Sequence, residues 1–185
     1  MKSVFALGAA LLVSAAAAGC GQTPITPTES SQFVFATPIG GIWSGSLLLT
    51  AVSGGECVGS DLKPAVDSGQ SFDDGTVTVV QQGSNVSATV RSATTGLTCQ
   101  YDGSAGVNSF ALSSKSCNAE VFYQCDNGNP RVLVPLGSTL TATQNGSTAI
   151  GVVATSYNVF SVDAQNERRP LTGLTTQQQF TAIRR

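Results

Sequence analysis

Histidine is absent from this chain of 185 residues. That removes serine–histidine and cysteine–histidine nucleophile pairs, and with them the imidazole metal ligand. Charge is scarce: nine Lys and Arg stand against eleven Asp and Glu, together 11% of the residues. No basic stripe exists to neutralise phosphates, so no nucleic-acid partner is expected. The pairs Arg168-Arg169 and Arg184-Arg185 read as a solvated loop and a solvated terminus. Phosphate loops of the Gly-x-x-x-x-Gly-Lys or Gly-x-Gly-x-x-Gly form are missing, and so is any Cys-x-x-Cys pair. No cofactor or metal is therefore expected. Aromatic residues make up 6%, with a single tryptophan, Trp43. No apolar run approaches the ~20 residues of a membrane-spanning helix; Val4 to Ala18 is shorter and rich in alanine.

That run follows Met1-Lys2-Ser3 and ends in small residues. A positive start, a short apolar stretch and a small-residue end are the parts of a secretory signal. The end reads Ala17-Ala18-Gly19-Cys20, which resembles the lipobox of bacterial lipoproteins; Ala17 departs from the usual leucine. The resemblance implies cleavage after Gly19 and a diacylglycerol thioether on Cys20. The mature protein is then exported and held to a membrane by buried methylenes at ~0.8 kcal/mol each. Gly21 stands where aspartate favours inner-membrane retention in enterobacterial lipoproteins, which points to the outer membrane. Residues 20–40 carry three prolines among threonines and serines and read as a flexible tether. Relaxed, it spans ~25 Å; drawn out, ~65 Å. Phe33 and Phe35 are its exceptions, suited to an extra strand or to packing on the domain. The folded domain is expected over residues 41–185.

Besides Cys20 there are four cysteines, Cys57, Cys99, Cys117 and Cys125. An even number in an exported chain reads as two disulfides. The residues between Cys117 and Cys125 look like a strand. About eight steps of ~3.3 Å would hold these two ends ~26 Å apart, against the ~4.4–6.8 Å between Cα atoms that a disulfide permits. That argues against 117–125 unless the segment bends. Of the two pairings left, 57–125 with 99–117 is preferred over 57–117 with 99–125.

Gly, Ser, Thr and Val dominate the rest, the composition of strands joined by tight turns. Ile42 to Val52 is the first strand, with Trp43, Leu47, Leu49 and Ala51 on one face at period two. Residues 53–74 form a long connection, with at most a turn of helix near Leu62 to Val66. Residues 76–90 and 139–153 are hairpins of one design. Gln81-Gln82-Gly83-Ser84 aligns with Gln144-Asn145-Gly146-Ser147, and the second turn is placed at Asn145-Gly146, with positive φ at both. Further strands are expected at 98–102, 109–114, 119–124, 131–136, 157–162 and 177–183. About ten short strands, and no helix beyond a turn or two, predict an all-β fold. The expected form is a single antiparallel up-and-down barrel of 8–10 strands, with a β-sandwich as the alternative.

Gly41-Ile42-Trp43 at the head of the first strand resembles the Gly-x-Trp motif of the lipocalins. The resemblance implies that Trp43 closes one barrel end under a cation following the last strand, Arg184 or Arg185. It also implies an apolar ligand in the barrel mouth. More broadly, the chain resembles uncharacterised bacterial lipoproteins with β-barrel domains, a resemblance that implies architecture alone. The oxygen-rich segments Asp73-Asp74 and Asp126-Asn127-Gly128-Asn129 lack calcium-loop spacing and read as turns. Three functions stay open: a non-catalytic binding module for a small apolar molecule, an envelope structural or interaction protein or inhibitor, and a hydrolase using two carboxylates.

Overall fold

The computed structural model of the chain describes residues 38–69 and 71–185, with 71–73 described by their backbone only. The expected signal, Cys20 and most of the tether lie outside the described residues. Ten strands and one helix follow: β1 (Gly41–Gly54), α1 (Cys57–Ser68), β2 (Ser71–Gln82), β3 (Asn85–Ser92), β4 (Thr98–Ala105), β5 (Ser109–Cys117), β6 (Val121–Gln124), β7 (Pro130–Asn145), β8 (Thr148–Val162), β9 (Arg168–Pro170) and β10 (Leu174–Arg184).

Eight of the strands close an antiparallel barrel in the order β1–β2–β3–β4–β5–β7–β8–β10, with β10 pairing back onto β1. Each strand lies beside its predecessor in this series, so the barrel is an up-and-down meander. Closure removes both sheet edges. Strands β7 and β8 outrun it. Along one edge β7 pairs with β5 at Thr139 to Thr143 and then with β6 at Pro130 to Leu133. Similarly, β8 pairs with β10 as far as Tyr157 and then with β9 from Phe160. The four strands β6, β7, β8 and β9 therefore extend one barrel end as a flap. Arg168 at the start of β9 grips Glu120, just before β6, through two hydrogen bonds of 2.6 and 2.8 Å.

Both disulfides are made, Cys57–Cys125 and Cys99–Cys117. Cys99 and Cys117 are direct partners across β4 and β5. Cys57 opens α1, and Cys125 follows β6.

Three expectations are corrected. Residues 57–68 are a three-turn helix, where a connection with at most one turn was expected. Val58, Leu62, Ala65 and Val66 fall at i, i+4, i+7 and i+8, one face of a helix. Val58 and Leu62 are buried by it, and the disulfide fixes its first residue. Gly59, Ser60 and an internal Pro64 are weak helix formers, so packing overrides propensity here. Second, Ala51 is exposed, not inward. The β1–β10 register slips between Leu49 and Ala51, a bulge at Thr50, and the inward phase passes to Val52. Third, the hairpin loops are Gly83-Ser84 and Gly146-Ser147, since Gln82 pairs with Asn85 and Asn145 with Thr148. Only the glycines have positive φ, 63° and 60°. This is the pattern of a turn with Gly at its first central position, not an Asn-Gly turn.

Two apolar clusters fill the molecule. One gathers Ile39, Trp43, Phe110, Leu140 and Phe180 at the barrel end where β1 begins. The other gathers Leu49, Val58, Leu62, Leu133, Val159 and Leu174 beneath α1 and the flap.

Candidate functional site: a closed end and a cavity under the helix

At the closed end, β1 and β10 set Trp43 directly opposite Arg184. The Arg184 guanidinium carbon stands 5.7 Å from the indole centroid, within cation–π range. Gly41 lies beneath it with φ +131°, a backbone conformation that favours glycine. Arg185 instead donates its backbone N–H to the Ile42 carbonyl. Trp43 and Ile39 are 3% and 1% exposed, so residues before β1 already belong to the core.

Four side chains pin this incoming segment. The Trp43 indole N–H donates to the Ile39 carbonyl at 2.8 Å. Gln81 accepts the Ile39 N–H at 2.7 Å. Gln144 and Arg184 both donate to the Pro38 carbonyl, at 3.4 and 3.0 Å. The two glutamines also stabilise their own turns, Gln81 Nε2 donating to Gly83 O at 2.9 Å and Gln144 Nε2 to Gly146 O at 2.8 Å. The aligned hairpins thus repeat a specific bond, and both face the same plug.

The opposite end is hollow. A cavity of about 160 Å³ lies between the two apolar clusters, roofed by Val58 and Leu62 of α1 and by Val121 and Tyr123 of β6. Its mouth is at the β3–β4 turn, where the exposed Thr95 joins the lining. Half of its lining residues are Leu or Val, and no charged side chain lines it. One side is polar. The Tyr101 hydroxyl donates to Ser138 Oγ at 2.9 Å, and Ser138 Oγ lies 2.9 Å from Thr155 Oγ1. Tyr157 and Thr176 line the same cavity. Burial pushes the Tyr101 and Tyr157 phenols above their ordinary pKa, and the Tyr101 hydrogen bond to Ser138 offsets it only in part. Both are therefore neutral at physiological pH.

Sequence reading did not find this site. Its walls come from α1, seven different strands and the β3–β4 turn, and nothing in a linear sequence marks which inward side chains share a level. The four disulfide cysteines frame it: Cys99 lines the cavity, and Cys57–Cys125 ties the α1 roof to the end of β6. Among the described residues, no group of three or more Cys, Asp or Glu could hold a metal ion. Asp126 to Asn129 form a turn in which Asn129 N–H donates to Asn127 Oδ1. A broader hollow of about 900 Å³ is a groove on the outer wall of β1 and β2, lined by exposed polar side chains such as Asp74, Thr76 and Arg91.

The eight-stranded barrel is compatible with a lipocalin-like barrel. No protein family, no curated protein and no solved structure matches the chain.

Proposed function

We propose that the protein is an exported lipoprotein, lipidated at Cys20 and held in the cell envelope, on the outer membrane where there is one. Its barrel is a non-catalytic binding module for a small apolar molecule. The observation that carries this reading is the cavity beneath α1: open at one mouth, mainly apolar and uncharged. Its ~160 Å³ is close to the ~150 Å³ of an engineered apolar cavity that takes up benzene. The hydrolase reading draws no support from the site, since no carboxylate lines it.

The test is ligand-observed NMR and thermal shift on the mature protein with toluene and phenol as probes. Leu62→Phe, which puts a larger side chain into the roof, serves as control. Binding of either probe that is lost in Leu62→Phe supports the reading. Neither probe binding up to its solubility overturns it.

A second reading, an envelope interaction protein, rests on the flap, where the Phe122 ring of β6 is 76% exposed.

A further inference from the structure

The cavity wall has more chemistry than an apolar ligand needs. Tyr101, Ser138 and Thr155 form a chain of three hydroxyls with two links, and Tyr157 and Thr176 add two more hydroxyls to the same wall. Each hydroxyl brings one proton and two acceptor lone pairs. The two links consume two of the five protons, so protons and lone pairs remain for a further partner. Tyr157, Thr155 and Thr176 themselves line the cavity, and Gln178, the next inward residue of β10, adds an amide.

An aliphatic cavity gains nothing from such groups if its occupant is a hydrocarbon. Filling the space with toluene would cut their free protons off from water and leave them without a partner. An oxygen on the ligand removes that cost. Charge is disfavoured instead, since no Lys or Arg lines the cavity to pair with a carboxylate and no Asp or Glu to pair with an ammonium.

We infer that the cavity selects a neutral molecule about the size of a single ring and bearing one hydroxyl or carbonyl oxygen, which Tyr157, Thr155 and Thr176 recognise. This inference rests on the proposed binding function and narrows its ligand class. Thr155 ends the Tyr101–Ser138 chain, so a ligand oxygen that meets it is coupled to that chain.

Phenol and toluene have the same shape and differ by a hydroxyl for a methyl, which makes them the diagnostic pair. Titration of the mature protein by calorimetry should give phenol a dissociation constant at least tenfold lower than toluene. Benzoate should show no binding. Thr176→Val keeps the side-chain shape and removes the hydroxyl; it should reduce phenol affinity about tenfold or more and leave toluene affinity equal or better. Tyr157→Phe should do the same, and it keeps the inference testable if Thr176→Val fails to fold. Toluene binding as tightly as phenol in the unsubstituted protein overturns the inference while the binding function stands. Phenol selectivity that survives in folded forms of both variants also overturns it. If neither probe binds, the function proposed above falls with it.

Discussion

Trp43→Ala tests whether the barrel is closed at its seam. Trp43 is 3% exposed, packs among Ile39, Phe110 and Phe180, and donates to a buried carbonyl. Replacing a buried tryptophan with alanine costs ~3–5 kcal/mol through lost transfer energy and the cavity left behind. Part of that cost is polar. Without the indole N–H, the Ile39 carbonyl loses its donor, at ~1–3 kcal/mol. Trp43→Phe isolates this part, because it retains an aromatic ring and removes the donor. The expected order is wild type, then Trp43→Phe down by ~1–3 kcal/mol, then Trp43→Ala down by ~3–5. Urea unfolding followed by circular dichroism suits the series, since the variants lose the sole tryptophan as a fluorophore. With a slope of ~2 kcal/mol per molar, Trp43→Ala should move the midpoint down by ~2 M. A midpoint within ~0.5 M of wild type would refute the reasoning. So would native emission typical of a water-exposed indole, readily quenched by iodide.

The two disulfides should differ in worth. They close loops with sequence separations of 68 and 18 residues, which the chain-entropy relation converts to ~4.4 kcal/mol for Cys57–Cys125 and ~3.2 for Cys99–Cys117. Paired Cys→Ala variants and chemical denaturation will check that order. The chain has no histidine, so the unfolding free energy should be flat between about pH 6 and 9. Above pH 10 it should fall, because the raised pKa values of Tyr101 and Tyr157 mean that the folded state holds protons which the unfolded state releases first. Denaturation midpoints across pH will show it, and Tyr157→Phe should weaken the alkaline decline. Mass spectrometry of the mature N-terminus should find an acylated Cys20; an unmodified start elsewhere refutes the anchor.

What the sequence makes legible is whatever repeats at period two or needs a special residue. The inward alternation along β10 is readable because nothing interrupts it between Leu174 and Arg184. Pairing of the first strand with the last follows once the fold is taken as a closed meander. The disulfide pairing is legible in part: strand spacing argues against 117–125, and it does not separate the two pairings that remain. Two of the errors share an origin, the loss of phase. A bulge at Thr50 passes the inward position from Ala51 to Val52. Another at Leu136 lets β7 run from Pro130 to Asn145 as one strand, where the sequence reads as two strands broken at residues 137–138. Helix α1 lacks a side-chain cap and carries Pro64. Its apolar spacing is visible, and its stabilisation comes from contacts distant in sequence.

The cavity and the covalent framework are two sides of one design. At the closed end, Trp43, Phe110, Leu140 and Phe180 reach the barrel axis, and Ile39 fills what remains. Toward α1 the inward residues shorten to Val90, Cys99, Val153 and Thr176, which leave the centre open. At ~24 cal/mol per Å³, an unfilled volume of about 160 Å³ forgoes ~4 kcal/mol of packing. That is about the size of the stabilisation assigned to Cys57–Cys125. The link lies beside the cavity, joining the two elements that roof it, α1 and β6. A filled barrel has little need of such a roof tie. A barrel that keeps a space for a ligand loses the packing that would otherwise hold its roof, and the disulfide supplies the attachment without occupying the space.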